Sequence, residues 1–226
     1  MARKLGILDR ICGKLIRFEV PLSKVVTVFG ATFGEESSNH IKKTLELYDR
    51  NPDVSFRETP LYPFLKTFCP TKLRDYVAGV STDLPLFEFP WGELVPGMAT
   101  KDRGQSRFCG PSTDEFVEEE FHRIIALYQK IKREGYLPGR VPGGYSAGTF
   151  LLGEKDYRFI VLQGNHRVPI LSHLGYRALS VTLYPFYIKP FVKLRSAAGW
   201  EHVKAGSCTL EDARTIFNFY FGPRPA

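Results

Sequence analysis

The chain has 226 residues, is 43% hydrophobic and 14% aromatic, and carries a formal net charge of +7. That content is enough for a real core, while the scatter of Cys12, Cys69, Cys109 and Cys208, with no CxxC spacing, argues against both a zinc site and a disulfide frame. No run reaches the ~18 apolar residues of a membrane span and no signal peptide is recognisable, so the expected compartment is the cytoplasm.

The basic balance suits an acidic partner such as a nucleotide, nucleic acid, anionic lipid or phosphosugar. In chain order, residues 3–18 read as a basic amphipathic helix with Leu5, Leu8, Ile11, Cys12, Leu15 and Ile16 on one stripe. Such a helix can lie on an anionic membrane surface or dock on the protein's own core; Gly6 and Gly13 weaken it as a free-standing element. Residues 24–29 (KVVTVF) read as a strand, and Asn39 as the cap of a helix with Ile41, Leu45 and Tyr48 on its apolar face. The loop GATFGEESS between them lacks the GK[ST] ending of a P-loop. Prolines at 52, 60, 63 and 70 make residues 51–80 an irregular but packed wrapping segment.

Residues 84–89 (LPLFEF) are a candidate strand, followed by a polar loop over 92–111 with Lys101, Asp102, Arg103, Gln105, Ser106 and Arg107. The clearest helix spans 112–134, with Ser112 and Glu115 as a capping box and Val117, Phe121, Ile124, Tyr128 and Ile131 as the core stripe. Its acids from Asp114 to Glu120 suit the positive end of the helix dipole and a solvated surface rather than a metal. A strand is expected over 150–152. Near the C-terminus, Thr209 and Asp212 open a last helix with Leu210, Ala213, Ile216, Phe217 and Tyr220 on its core face.

The stretch 157–181 carries the most chemistry. Its order is an apolar strand over 159–162, the turn Gln163-Gly164-Asn165-His166-Arg167, a helix with Val168, Leu171 and Leu174 on one face, a stop at Gly175, and a strand over 178–183. A strand that enters a helix through a tight polar turn can hold an anion on its free amides. Gly164 lets the backbone approach, Asn165 can cap the helix, His166 can move a proton, and Arg167 offers a fork of donors for phosphate. Each of the four also has a purely structural reading as a cap, a bridge or a filler.

Residues 105–181 resemble the ParB/sulfiredoxin superfamily. Gln105-Ser106-Arg107 is similar to its QPR step, residues 124–137 to its "SI…GL" helix end, and Gly164-Asn165-His166-Arg167 followed by Leu174-Gly175-Tyr176 to its GxxR-helix-LG signature. The resemblance covers about a third of the chain and implies an α+β fold with a small mixed sheet and packed helices. That core would span 83–188, with an N-terminal extension (1–82) packed on it and a C-terminal helical extension (189–226). Asn165 stands where sulfiredoxins keep their cysteine, which argues against sulfinic-acid reduction. The short C-terminal remainder argues against a ParB helix-turn-helix domain.

What the resemblance leaves is the free-serine-kinase type of activity. It implies an ATP- or ADP-dependent phosphotransferase, with CTP as an alternative, acting on a small hydroxylated substrate, with Mg²⁺ assisting. The nucleotide would be held by Gly164, Asn165, His166, Arg167, Arg107 and Gln105. The catalytic candidates are His166, Arg167 and a carboxylate, with Glu93 chosen over Glu88 and Asp102. No dedicated metal ligand set is expected. The competing expectations are a non-catalytic nucleotide-gated switch, a nucleic-acid or partner adaptor, and a membrane-surface protein using residues 3–18.

Overall fold

The computed structural model describes residues 17–34, 37, 39–94, 106–140, 144–183 and 189–222. The expected helix over 3–18 lies outside these except for its last two positions. Those two are not helical: Arg17 and Phe18 open strand β1 (Arg17–Pro21).

The architecture is α+β, built on a mixed six-stranded sheet in the order β1-β7-β5-β6-β2, with β8 also paired to β5. Its centre is the antiparallel pair β5 (Ser146–Leu152) and β6 (Tyr157–Gln163), with a register shift between Ala147 and Gly148. β7 (Ala178–Thr182) and β8 (Phe191–Lys193) run parallel to β5 along its other edge. β2 (Val25–Val26) runs parallel to β6, and β1 pairs antiparallel with β7.

Both faces of the sheet are covered, which is why β5 and β6 read as nearly continuous apolar runs. Alternation assigns the faces. Phe150, Phe159 and Val161 enter one core, with Ile41, Leu45, Leu65, Val117, Phe121 and Ile124. Ala147, Leu151, Ile160 and Leu162 enter the other, with Trp91, Trp200, Ile216 and Phe217. The first core is roofed by α1 (His40–Arg50), α2 (Leu61–Thr67), α3 (Asp114–Glu134) and α4 (Arg167–His173). The second is closed by α5 (Glu201–Lys204), α6 (Leu210–Phe219) and the ribbon of β3 (Glu88–Phe89) with β4 (Gly92–Glu93).

Several expectations change in detail. The strand over 24–29 shrinks to two residues, because the chain turns where Thr27 N–H bonds Ala31 O and Gly30 N–H bonds Thr27 O. Of 84–89 only the last two residues are strand, and they sit in the ribbon rather than the main sheet. The wrapping segment contains α2, whose first turn accommodates Pro63 because no intrahelical N–H is needed there. The cap of α3 is Thr113, whose hydroxyl accepts from Phe116 N–H; Ser112 Oγ is buried without a partner, so the Ser112–Glu115 capping box does not form. Asn39 caps α1 as expected, accepting from Ile41 and Lys42 N–H. Thr209 likewise caps α6, at 3.0 Å from Asp212 N.

Strands from 1–82, 83–188 and 189–226 all join the one sheet. Side chains reinforce the connection. Tyr220 donates to Val28 O at 2.8 Å, and Asp212 accepts from the Ser81 hydroxyl at 2.9 Å.

Candidate functional site

The turn after β6 is set by Gly164. Its φ is 97°, a left-handed value that favours glycine, and a Cβ there would overlap Ser146 Oγ at the start of β5. The turn then closes on itself. Arg167 N–H and Val168 N–H both donate to Gly164 O, at 2.9 and 3.1 Å. Asn165 does not cap the helix: its Nδ2 donates to Leu162 O at 3.0 Å, and the N-cap position falls to His166 with no side-chain cap. Asn165 therefore ties the turn to the strand. α4 has seven residues, and the amides of Arg167 and Val168 that open it already donate to Gly164 O, so they form no free cradle.

Arg167 donates to Gly144 O, the carbonyl that also accepts from Tyr136 OH at 3.0 Å. Burial pushes the Tyr136 phenol up, opposed by the Arg167 guanidinium beside it. This contact holds Arg167 against the entrance of β5.

His166 points the other way, toward α3. Its Nε2 is 3.1 Å from Glu120 Oε2, and Glu120 is 1% exposed. The approach is close without hydrogen-bond alignment, so Oε2 keeps an unfilled acceptor. The other oxygen, Oε1, is gripped by Arg123 at 2.5 Å and Arg107 Nε at 3.0 Å. Burial pulls the Glu120 carboxyl up, but His166, Arg107 and Arg123 outweigh it and hold it below the usual carboxylate range. Beside this group His40 stacks on Phe64, ring centroids 3.6 Å apart. Burial first, and His166 second, push His40 down to about 3, so it stays neutral.

Of the residues singled out in the sequence, the structure groups Gly164, Asn165, His166 and Arg167 in one turn and brings Arg107 to the same carboxylate as His166. Gln105 lies outside the described residues. Glu93 is on the β3–β4 ribbon opposite Glu88, a different part of the fold. The carboxylate that does meet His166 is Glu120, which belongs to the acidic run read as solvated surface; that assignment is corrected by its burial. The signal was present. Position 120 lies i+3 from Val117 and i−4 from Ile124, on the buried stripe of the helix.

Among the described residues no three His, Cys, Asp or Glu side chains gather as a metal site, and no helix is long and apolar enough to cross a membrane. Compared with protein-family models, curated proteins and solved structures, the chain matches none.

Proposed function

We propose that the protein binds the phosphates of a nucleotide, ATP or ADP, beside the 164–167 turn and transfers a phosphoryl group to a small hydroxylated substrate. The observation that carries this is the gathering of Arg107, Arg123 and His166 on one buried carboxylate, Glu120, next to the turn that bears Arg167. Two guanidinium groups against one carboxylate leave positive charge for phosphate oxygens. Arg107 and Arg123 are 54% and 41% exposed, so their remaining donors are within reach of a ligand.

The chemistry asks little of the protein beyond placement and charge. The substrate hydroxyl oxygen forms a bond to the terminal phosphorus as the bond to the leaving phosphate oxygen breaks. His166 takes the hydroxyl proton on Nδ1, because Nε2 faces Glu120, and ionised Glu120 steadies the imidazolium that forms. Arg107 and Arg123 offset the charge on the transferring group. Mg²⁺ would supply further neutralisation on the phosphates. Glu120 does not suit it as a ligand, since Arg107 and Arg123 occupy one oxygen and the His166 ring stands against the other.

Transfer is tested by following ATP by ³¹P NMR in the presence of small alcohols and hydroxy amino acids. Substrate-dependent formation of ADP and a phosphomonoester, lost in His166→Gln, supports the assignment. Nucleotide binding without transfer would replace the enzyme with a nucleotide-gated switch.

A further inference from the structure

The second core opens to solvent in a cleft of about 440 Å³ on the opposite edge of β5 from the turn. This volume is in the range of small-molecule sites. Trp91 and Trp200 form part of its wall, packed edge to face with ring centroids 5.2 Å apart, and Phe191, an exposed apolar side chain, flanks them. Its basic side chains are Lys189 just before β8, Lys193 at the end of β8 and Lys204 at the end of α5.

The charges in the cleft do not cancel. Glu201 is its single acid, and Lys189 takes it, at 3.8 Å, while also donating to Trp91 O. Gly92 makes room for that pair. Its φ is 102°, and a Cβ there would overlap Glu201 Oε2 and crowd Lys189 Nζ. Lys193 and Lys204 are left without a carboxylate partner among the described residues, both exposed at the rim. A second, independent feature accompanies this surplus. The Trp91 side chain is 1% exposed and its indole Nε1–H is buried with no acceptor. A buried donor without a partner is uncommon in folded proteins and calls for an acceptor that the protein does not supply, an ordered water or a ligand atom.

We propose that this cleft is a second binding site, distinct from the turn, for a small organic anion: a carboxylate or phosphate ester on a flat apolar body. The body packs against Trp200 and Phe191, the anionic group is met by Lys193 and Lys204, and a ligand oxygen accepts from Trp91. Apolar walls with a few convergent polar groups give such a site both affinity and orientation.

The two tryptophans of the chain both line the cleft, so tryptophan fluorescence of the full-length protein, excited where tyrosine does not absorb, reports on it. Titration with benzoate and with phenyl phosphate tests the two kinds of head group, and benzyl alcohol is the neutral control. A saturable spectral change with either anion and none with the alcohol is expected, and whichever anion responds more tightly identifies the head group. Lys193→Gln combined with Lys204→Gln, two exposed changes that leave the core untouched, should weaken that response at least ~10-fold. Three results overturn the proposal: no saturable change with either anion up to about 10 mM, an equal response to benzyl alcohol, or unchanged affinity in the double variant.

Discussion

Glu120 Oε2 lies 3.1 Å from His166 Nε2, joining the second turn of the long helix α3 to the turn that ends β6. The carboxylate is buried and ionised, and that combination persists only where cations compensate the lost hydration. Here the compensation comes from Arg107 and Arg123, with the His166 ring set against the other oxygen. The same arrangement that stabilises the carboxylate places the histidine ring beside Oε2.

Glu120→Gln removes the charge while keeping the shape. The two half-exposed arginines can turn to water, so the loss is smaller than for a fully enclosed ion pair. Urea unfolding should show a decrease of about 1–3 kcal/mol. The proposed transfer should slow by about 100-fold or more, because the imidazolium loses its counter-charge. A variant as stable as the parent would mean that Glu120 is not paired in the folded state.

His40 gives the fold a dependence on acid. The folded protein holds this histidine neutral down to about pH 3, whereas its ordinary value is 6.5. Unfolding therefore takes up a proton between those limits, and stability falls as the pH drops below about 6.5. By pH 4 this group should account for about 3 kcal/mol of the loss. Chemical denaturation across that range should show a shallower acid slope in His40→Gln than in the parent. Parallel slopes would place a charged or well-hydrated His40 in the folded state.

Gly164 and Gly175 allow a controlled comparison. Both have positive φ, 97° and 80°. A Cβ on Gly175 meets open space, while one on Gly164 would overlap Ser146 Oγ. Gly175→Ala should cost about 1 kcal/mol from backbone conformation alone. Gly164→Ala should cost about 2–3 kcal/mol, adding displacement of Ser146 and the first turn of α4. Thermal or urea melts read both values. Equal losses would show that the Ser146 contact carries no weight.

The sequence made the periodic elements legible. Asn39, Thr209 and the apolar stripe of 112–134 announced helices that form almost where expected, because caps and stripes are local signals. The strands were less legible at their ends. KVVTVF looks uniform, yet only Val25 and Val26 find a partner, and pairing with β6 is not written in that hexapeptide. The strand β1 was hidden because Arg17 and Phe18 continue a helical pattern, and only the edge offered by β7 makes them extended. The turn itself was found from its residue types. The role of Asn165 was not, since the choice between capping α4 and bonding Leu162 O depends on three-dimensional closure. Glu120 was passed over because acidic residues at the start of a helix usually face water. Its partner Arg107 comes from a loop whose course the sequence does not fix.

Isothermal titration of the full-length protein with ATP, ADP and CTP tests the central claim, that cations gathered around Glu120 hold nucleotide phosphates. Saturable heat with at least one of the three is expected, and Arg107→Ala combined with Arg123→Ala should weaken it at least ~10-fold. No heat with any of the three nucleotides, or a double variant that binds as the parent does, would contradict it.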